Sequence, residues 1–198
     1  MKEIKLDMQY KGSRDYLHGT DFYSEISSKI KEKSPGWLKK IAFKNFAKKQ
    51  CFVVFDKPDV SKRLIGNGFW QSTALANLSS KFWIVEADTV VTGRYPFDEE
   101  LLLKNTVIKD NKIILSVDNG FSTIENIVAL TKKINYHLSP NIKGKWVFSQ
   151  IELKESLKDF SLELAIVRHS ELQSLFSRNL VEVDGMVIGE IRFMVANS

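Results

Sequence analysis

Residues 181–196 read VEVDGMVIGEIRFMVA and carry the strongest fold signal in the chain. Apolar and polar residues alternate on both sides of Asp184-Gly185, a dipeptide that favours a tight turn between antiparallel strands. An earlier segment, VEADTVVTG at 85–93, shares Val, Glu, Asp, Val and Gly with residues 181–189 at matching positions. It places Asp88-Thr89 where Asp184-Gly185 stands, so a turn is expected there too. Two related segments in one chain indicate an internal repeat.

A second pair of matching segments supports the repeat. Apolar residues alternate with other residues in 4–8, and residues 113–117 align with that frame. The same spacing along the chain takes Trp37 to Trp146. The first copy is longer than the second, and we expect the excess in the turn-rich stretch KPDVSKRLIGNGFWQ, residues 57–71. We therefore predict two related copies in one chain.

Each predicted copy, residues 1–105 and residues 106–198, contains one helix followed by strands. Helical apolar spacing runs through 22–30, before Ser34-Pro35-Gly36, and through 124–138, before Ser139-Pro140. The strands are predicted at 41–46, 50–56, 81–97, 146–153, 160–167 and 178–195. One helix on one antiparallel sheet leaves an edge that needs a neighbour, which the other copy supplies. The fold class is therefore α+β, with a tandem repeat.

Composition sets broad limits on the function. Hydrophobic residues make up 43% and charged residues 27%, as in a globular protein. No apolar run approaches the roughly 20 residues of a membrane span, and residues 1–12 lack a signal-peptide pattern. Cys51 is the only cysteine, which excludes an intrachain disulfide and a paired-cysteine metal site. We expect a cytoplasmic protein without metal or cofactor, and a buried, inert Cys51.

Positive charge is concentrated in residues 29–49, where eight lysines accompany one acid, Glu32. Such a stretch is either a solvated face or a docking surface for an acidic partner. Nucleic acid is disfavoured as a partner, because the chain has no aromatic RNA-binding motif, no zinc spacing and no GxxG loop.

The second copy resembles the β-hydroxyacyl-carrier-protein dehydratases of the hotdog superfamily, in which an antiparallel sheet wraps a central helix. The segment 181–196 is similar to that family's closing hairpin. GFSTIENI, residues 120–127, is similar to the start of its helix, where the catalytic acid lies five residues after a glycine, as Glu125 does here. The resemblance covers residues 112–197, and the repeat extends it to the first copy. Neither copy has the family's GHFP-type histidine loop, and the first copy offers His18-Gly19 instead.

The resemblance implies a fused double hotdog: two antiparallel sheets, each wrapping a central helix, related by a pseudo-two-fold axis. It also implies a lyase of fatty-acid or polyketide metabolism that acts on acyl thioesters and uses no cofactor. In the resembled enzymes the histidine and the acid come from opposite subunits. The fused chain is therefore expected to pair His18 with Glu125. An acyl-CoA or acyl carrier protein would dock on Lys39, Lys40, Lys44, Lys48 and Lys49.

Dehydration of a β-hydroxyacyl thioester needs a base, an acid and hydrogen-bond donors for the thioester carbonyl. Histidine suits the base, and a carboxylic acid with a raised pKa in an apolar tunnel suits the acid. Backbone N–H groups at a helix N-terminus suit the carbonyl. Helices that begin at Gly19-Thr20 and Gly120-Phe121 would supply them. The candidate substrate-binding residues are therefore Gly19, Asp21, Gly120, Phe121 and Arg14.

Each of these residues also has a structural interpretation. His18 is equally expected as a capping or core histidine, and Glu125 as a solvated helix residue. Asp21 stabilises a first helical turn through the dipole alone. Arg14 either pairs with Asp15 on the surface or binds a phosphate or carboxylate. The alternative function is a non-catalytic acyl-thioester-binding, carrier-binding or assembly subunit with decayed sites, and assembly into a homo-oligomer stays open.

Overall fold

The computed structural model describes residues 3–74, 78–158, 163–172 and 175–196. The chain divides into two compact units, Met1–Phe97 and Asp98–Ser198. The elements of the first unit are β1 Glu3–Lys5, β2 Tyr10–Lys11, α1 Gly19–Lys31, β3 Gly36–Phe43, β4 Lys49–Val54, β5 Leu64–Ser72, β6 Ser79–Val90 and β7 Arg94–Tyr95. Those of the second unit are α2 Glu99–Leu103, β8 Thr106–Lys109, β9 Lys112–Leu115, α3 Thr123–Leu138, β10 Lys145–Leu153, β11 Leu164–Leu172, β12 Phe176–Val183 and β13 Met186–Ala196.

The first unit is an antiparallel sheet with α1 packed against it. Its strands lie in the order β1-β4-β6-β5-β3. The apolar stripe of α1, formed by Phe22, Ile26 and Ile30, is buried, and the Phe22 ring packs 5.7 Å from that of Phe43 in β3. Because apolar residues at this spacing share one helix face, the helix predicted over residues 22–30 is confirmed. A separate parallel pair, β2 with β7, lies outside this sheet.

The second unit follows the same plan. Its antiparallel strands lie in the order β10-β13-β12-β11-β9-β8, and α3 packs against β9, β10, β11, β12 and β13. Ile127, Leu130 and Ile134 of α3 are fully buried against them. The helix predicted over 124–138 is confirmed. Each unit is therefore one long helix against an antiparallel sheet, and no helix in the described part of the chain could span a membrane.

The hairpin at Asp184-Gly185 is confirmed, but its counterpart in the first unit is not. Asp184 and Gly185 have φ values of 49° and 78° and join β12 to β13, as in a two-residue turn with two positive φ angles. The prediction of a turn at Asp88-Thr89 is wrong, because β6 runs unbroken from Ser79 to Val90. The β-branched Thr89 suits an extended backbone far better than a left-handed one.

The stretch 57–71 was predicted as a turn-rich excess: residues 57–63 do lie outside the strands, whereas residues 64–71 form most of strand β5, where no strand was predicted. The sequence Gly66-Asn67-Gly68 does not predict a strand, because glycine and asparagine are rare in strands. The glycines are needed because a Cβ at Gly66 would lie 2.3 Å from the carbonyl oxygen of Ala42. A Cβ at Gly68 would lie 2.4 Å from that of Lys40.

The two units fill one equivalent position of their strand order with different strands. In the first unit β5, which precedes β6, lies between β6 and β3. In the second unit β13, which follows β12, lies between β12 and β10. Because β5 already occupies this position, no strand needs to fold back after β6. The missing turn at Asp88-Thr89 and the excess at 57–71 thus have one cause.

Other boundaries refine the predicted plan. The start of α1 at Gly19 matches the prediction, whereas α3 begins at Thr123 and not at Gly120-Phe121, because Ser122 caps it. Trp37 and Trp146 are each the second residue of the strand after the long helix. Residues 160–162 of the strand predicted at 160–167 lie outside the described residues. Helix α2 falls in the second unit, although the first copy was predicted to extend to residue 105. The tandem copies 1–105 and 106–198 stay a prediction.

Candidate functional site

The first unit gathers polar side chains around the N-terminus of α1. The parallel pair of β2 and β7, with Lys11 opposite Tyr95, brings Lys11 to the first turn of this helix. Arg94 donates hydrogen bonds to the carbonyl oxygens of Gly12 and Arg14 and so fixes the loop between β2 and α1. Lys11 is fully buried, a rare position for a lysine. The cluster is therefore built around a cation that is shielded from water.

The ammonium group of Lys11 is compensated by a carboxylate and by aromatic rings. Its Nζ donates to Asp21 Oδ1 at 3.2 Å and to Thr20 Oγ1 at 3.1 Å. It also lies 4.1 Å from the ring centroid of Phe97 and 5.7 Å from that of Tyr95. A buried charge is tolerated when it is paired, hydrogen-bonded and in contact with aromatic faces.

His18 is the N-cap residue of α1, but its side chain does not cap the helix. Its Nδ1 instead lies 2.7 Å from Thr20 Oγ1. The ring is half-buried in the cluster, so the capping interpretation of the side chain is wrong. His18 is thereby tied to Lys11 through a shared hydroxyl.

The remaining first-unit candidates lie around the same group. Asp21 occupies the first turn of α1, where its Oδ1 accepts from Lys11 and from Thr20, at 3.1 Å in the second case. Arg14 donates to the carbonyl oxygen of Lys11 at 3.4 Å, and Gly19 is the first residue of the helix. The structure thus brings together the four predicted residues His18, Gly19, Asp21 and Arg14.

Sequence reasoning missed Lys11, Thr20 and Phe97. A lysine between Tyr10 and Gly12 resembles a solvated residue, and Phe97 is far from α1 in the chain. The only local signal was Thr20, two residues after His18, where its hydroxyl can reach the imidazole.

In the second unit Glu125 has a structural role. Its Oε2 accepts from the Ser122 backbone N–H at 3.0 Å and from Ser122 Oγ at 2.7 Å, which completes a capping box at the start of α3. Gly120 and Phe121 lie ahead of the helix. Their N–H groups donate to the side chains of Asp118 and Asn119 at 2.9 and 3.1 Å.

A cleft opens beside the N-terminus of α3. It has a volume of about 550 Å³ including its solvent-open mouth. Leu164, Val183 and Ile188 form apolar walls, and Glu155 and Lys158 are charged residues of its lining. An apolar cleft with a few polar groups is the usual form of a small-molecule site.

The five candidate docking lysines differ in their surroundings. Lys39 and Lys40 lie half-buried on β3, and Lys44 is exposed. Lys48 pairs with Asp15 at 2.8 Å and Lys49 with Asp88 at 3.7 Å. The hydrogen bond between Lys48 and Asp15 lowers the pKa of the carboxyl and raises the pKa of the ammonium. Asp15 therefore pairs with Lys48, and the Arg14–Asp15 surface pair is not formed.

Comparison with known proteins identifies the fold. No known family profile and no curated protein matches the chain. The tesB protein of Mycobacterium avium subsp. paratuberculosis matches 98% of this chain over 93% of its own, with 8% identity and a TM-score of 0.52. A bifunctional dehydratase-cyclase domain of ambruticin biosynthesis matches 98% of this chain over 90% of its own, with 11% identity and a TM-score of 0.47.

A third similar structure is the dehydratase domain of a mycocerosic acid synthase-like polyketide synthase. It matches 97% of this chain over 85% of its own, with 8% identity and a TM-score of 0.49. At these identities the likeness concerns the fold alone, and the tesB match is the one of the three that supports it. The chain has a hotdog-like fold, as the resemblance of the second copy implies. The narrower dehydratase family and the pseudo-two-fold double hotdog stay predictions.

Proposed function

We propose that this protein acts on acyl thioesters as a lyase that dehydrates a β-hydroxyacyl group. One observation carries the proposal: a half-buried histidine lies at the N-terminus of α1 and is oriented there through its Nδ1. Histidine is the side chain best suited to proton transfer near neutral pH. A helix N-terminus with glycine as its first residue suits a carbonyl oxygen that gains negative charge.

The reaction assigns one task to each proposed residue. His18 takes the α-proton, and Glu125 in its protonated form gives a proton to the departing β-hydroxyl, which leaves as water while the C=C bond forms. Backbone N–H groups near Gly19 polarise the thioester carbonyl. Gly120 and Phe121, whose N–H groups donate to Asp118 and Asn119, contact the substrate without polarising it. Asp21 orients the cluster, and Arg14 binds a phosphate or carboxylate of the substrate. No cofactor enters these steps.

The partner in this proposal is an acyl-CoA or an acyl carrier protein, within fatty-acid or polyketide metabolism. The basic residues Lys39, Lys40, Lys44, Lys48 and Lys49 dock the acidic carrier. The acyl chain lies along a central helix.

A second function is favoured by the surroundings of Glu125. Its carboxylate already serves the capping box of α3, and the second unit has an apolar cleft beside the same helix end. These features suit a subunit that binds an acyl thioester without converting it. Mass spectrometry of small molecules that copurify with the native chain tests this alternative.

Turnover of hydroxybutyryl and crotonyl thioesters tests the catalytic proposal. We expect His18→Ala and Glu125→Gln each to lower kcat by about 10²-fold or more, the scale of lost acid–base catalysis. The double variant should lose little more than either single variant, because residues that act as a unit are not additive. His169→Ala, which alters an exposed histidine of β11, is the matched control.

Glutamine is also accepted at the third position of a capping box, so Glu125→Gln should leave the thermal stability of α3 nearly unchanged. Its loss of activity would then report chemistry and not folding. Parental turnover in the folded double variant would reject the catalytic assignment and favour the binding function.

A further inference from the structure

The Thr20 hydroxyl is the shared hydrogen-bond partner of the polar side chains at the start of α1. Three polar atoms lie within hydrogen-bond distance of its Oγ1: His18 Nδ1 at 2.7 Å, Lys11 Nζ at 3.1 Å and Asp21 Oδ1 at 3.1 Å. Thr20 is itself almost completely buried, at 1% exposure. Its hydrogen bonds therefore go to these groups rather than to bulk water.

A hydroxyl has one proton to donate and two lone pairs to accept with. Lys11 is an ammonium and can only donate, so it uses one lone pair of Thr20. Asp21 Oδ1 is the acceptor of the Lys11 ammonium as well, at 3.2 Å, which marks it as a carboxylate oxygen. The single Thr20 proton therefore goes to Asp21. One lone pair is left, and it faces His18 Nδ1.

The opposite assignment is less favourable on the same distances. If Nδ1 of His18 accepted the Thr20 proton, no proton would lie between Thr20 Oγ1 and Asp21 Oδ1, which are 3.1 Å apart, and only the Lys11 ammonium that donates to both would hold them together. Two oxygen acceptors at that separation repel each other. Burial strengthens this repulsion, because water does not screen it.

We infer that Thr20, oriented by Asp21 and Lys11, fixes His18 in the tautomer with its proton on Nδ1, so that His18 takes up and releases a proton at Nε2. Nδ1 keeps its proton in both charge states, since the imidazolium also donates from it. The geometry makes Thr20, Asp21 and Lys11 positioning residues and Nε2 the reacting atom. Its catalytic consequence rests on the proposed function, whereas the tautomer itself does not.

The fold supplies the three positioning groups from two places. Thr20 and Asp21 come from the first turn of α1, and Lys11 comes from β2, which is held by its pairing with β7. A network fixed at both ends restrains the imidazole, much as a carboxylate fixes the histidine in a serine protease triad.

Nitrogen-15 NMR of the full-length protein with labelled histidine tests the tautomer directly. His137→Gln and His169→Gln assign the three imidazoles. At a pH high enough to make the imidazole neutral, we expect a protonated, pyrrole-type Nδ1 and an unprotonated, pyridine-type Nε2 in the parent protein. Thr20→Val removes the hydroxyl at nearly constant shape and should release this preference, while Thr20→Ser should restore it.

The same two variants separate positioning from substrate binding. We expect Thr20→Val to lower kcat by about tenfold or more with little change in KM, since a histidine in the wrong tautomer cannot act as the base. Thr20→Ser should recover most of the parental rate. A protonated Nε2 in the parent protein overturns the inference, whatever the activity and whether or not the variants fold. The inferred tautomer in a protein without dehydratase activity supports the inference and counts against the proposed function alone.

Discussion

Lys11 shows how strongly one buried charge depends on its surroundings. Its ammonium group has no contact with solvent and lies between Thr20, Asp21 and the ring of Phe97. Desolvation of such a group costs several kcal/mol, and the nearby carboxylate offsets that cost only while both partners are present. The ion pair therefore matters more for the arrangement of the cluster than for the net stability of the fold.

We expect Lys11→Met to lower the free energy of unfolding by about 3–5 kcal/mol, because it leaves the Asp21 carboxylate without its cation. The double variant Lys11→Met, Asp21→Asn should recover part of this loss, since position 21 then carries no unpaired charge. Urea denaturation of both variants measures the difference. Lys48→Met, which removes an exposed partner of Asp15, should leave the free energy of unfolding nearly unchanged, because solvent screens this pair. A double variant less stable than Lys11→Met would contradict this account.

Cys51 belongs to a reactive residue type, and its buried position makes it inert. Burial, followed by the nearby Glu86, raises the pKa of its thiol to about 12. The thiolate is the reactive form, and it becomes appreciable only as the pH approaches that value. At about pH 8, near the ordinary pKa of a thiol, we expect no reaction of the native protein with an aromatic disulfide reagent. Unfolding in urea should expose one reactive thiol, whereas rapid labelling of the folded protein would show that Cys51 is accessible.

The strands of the two units depend on glycine for two different reasons. Gly185 has a φ of 78°, and a Cβ there would meet no atom within 4 Å, so only the backbone conformation requires glycine. Gly68 lies in regular strand conformation, but a Cβ there would lie 2.3 Å from the ring of Phe82 and 2.4 Å from the carbonyl oxygen of Lys40. Glycine is thus required at position 185 by the local backbone conformation, and at position 68 by the close approach of neighbouring residues in the tertiary structure.

These two glycines give a matched pair of substitutions. Gly185→Ala should lower the free energy of unfolding by about 1–2 kcal/mol, the cost of a left-handed backbone for a residue with a Cβ. Gly68→Ala should cost more, because β5 must move away from β3 or the Phe82 ring must shift. Thermal or urea unfolding compares the two. Equal losses would indicate that β5 adjusts freely.

Both units share one architecture but complete it by different routes along the chain. Each has a long helix followed by four strands of its antiparallel sheet. The position that β5 fills before β6 in one sheet is filled by β13 after β12 in the other. The two units therefore agree in the pairing of their strands more than in the order of those strands along the chain. The sequence similarity between them is confined to residues 85–93 and 181–189 and to a few apolar positions.

The basic surface is best tested as a whole. Because Lys48 and Lys49 already pair with Asp15 and Asp88, we expect Lys39 and Lys44 to contribute most to docking of an acidic carrier. Replacing these two by glutamate should weaken carrier binding at least tenfold, while turnover of small pantetheine thioesters stays nearly unchanged. Added salt should weaken the parental interaction too, since exposed charges are screened. Isothermal titration calorimetry with an acyl carrier protein measures both effects.

Lys104→Glu with Lys109→Glu, at exposed positions of the second unit, is the control for net charge. Equal effects of the control and the Lys39→Glu, Lys44→Glu variant would reduce the docking surface to general electrostatic attraction. Binding that does not depend on salt would favour a solvated face with no carrier, and tight binding of a nucleic acid would reopen that class of partner.

Local patterns determined much of this protein. The two long helices follow from apolar residues at helical spacing, and the β12–β13 hairpin follows from Asp184-Gly185, because these signals lie within a few neighbouring residues. The neighbouring positions of His18, Gly19, Asp21 and Arg14 could be predicted for the same reason, since they are close together in the chain. Only the tertiary structure decided the rest. β5 is a strand because β3 and β6 approach its glycines, and Lys11 belongs to the cluster because β7 pairs with β2. Such contacts join distant segments, and their energies are absent from any local stretch of sequence.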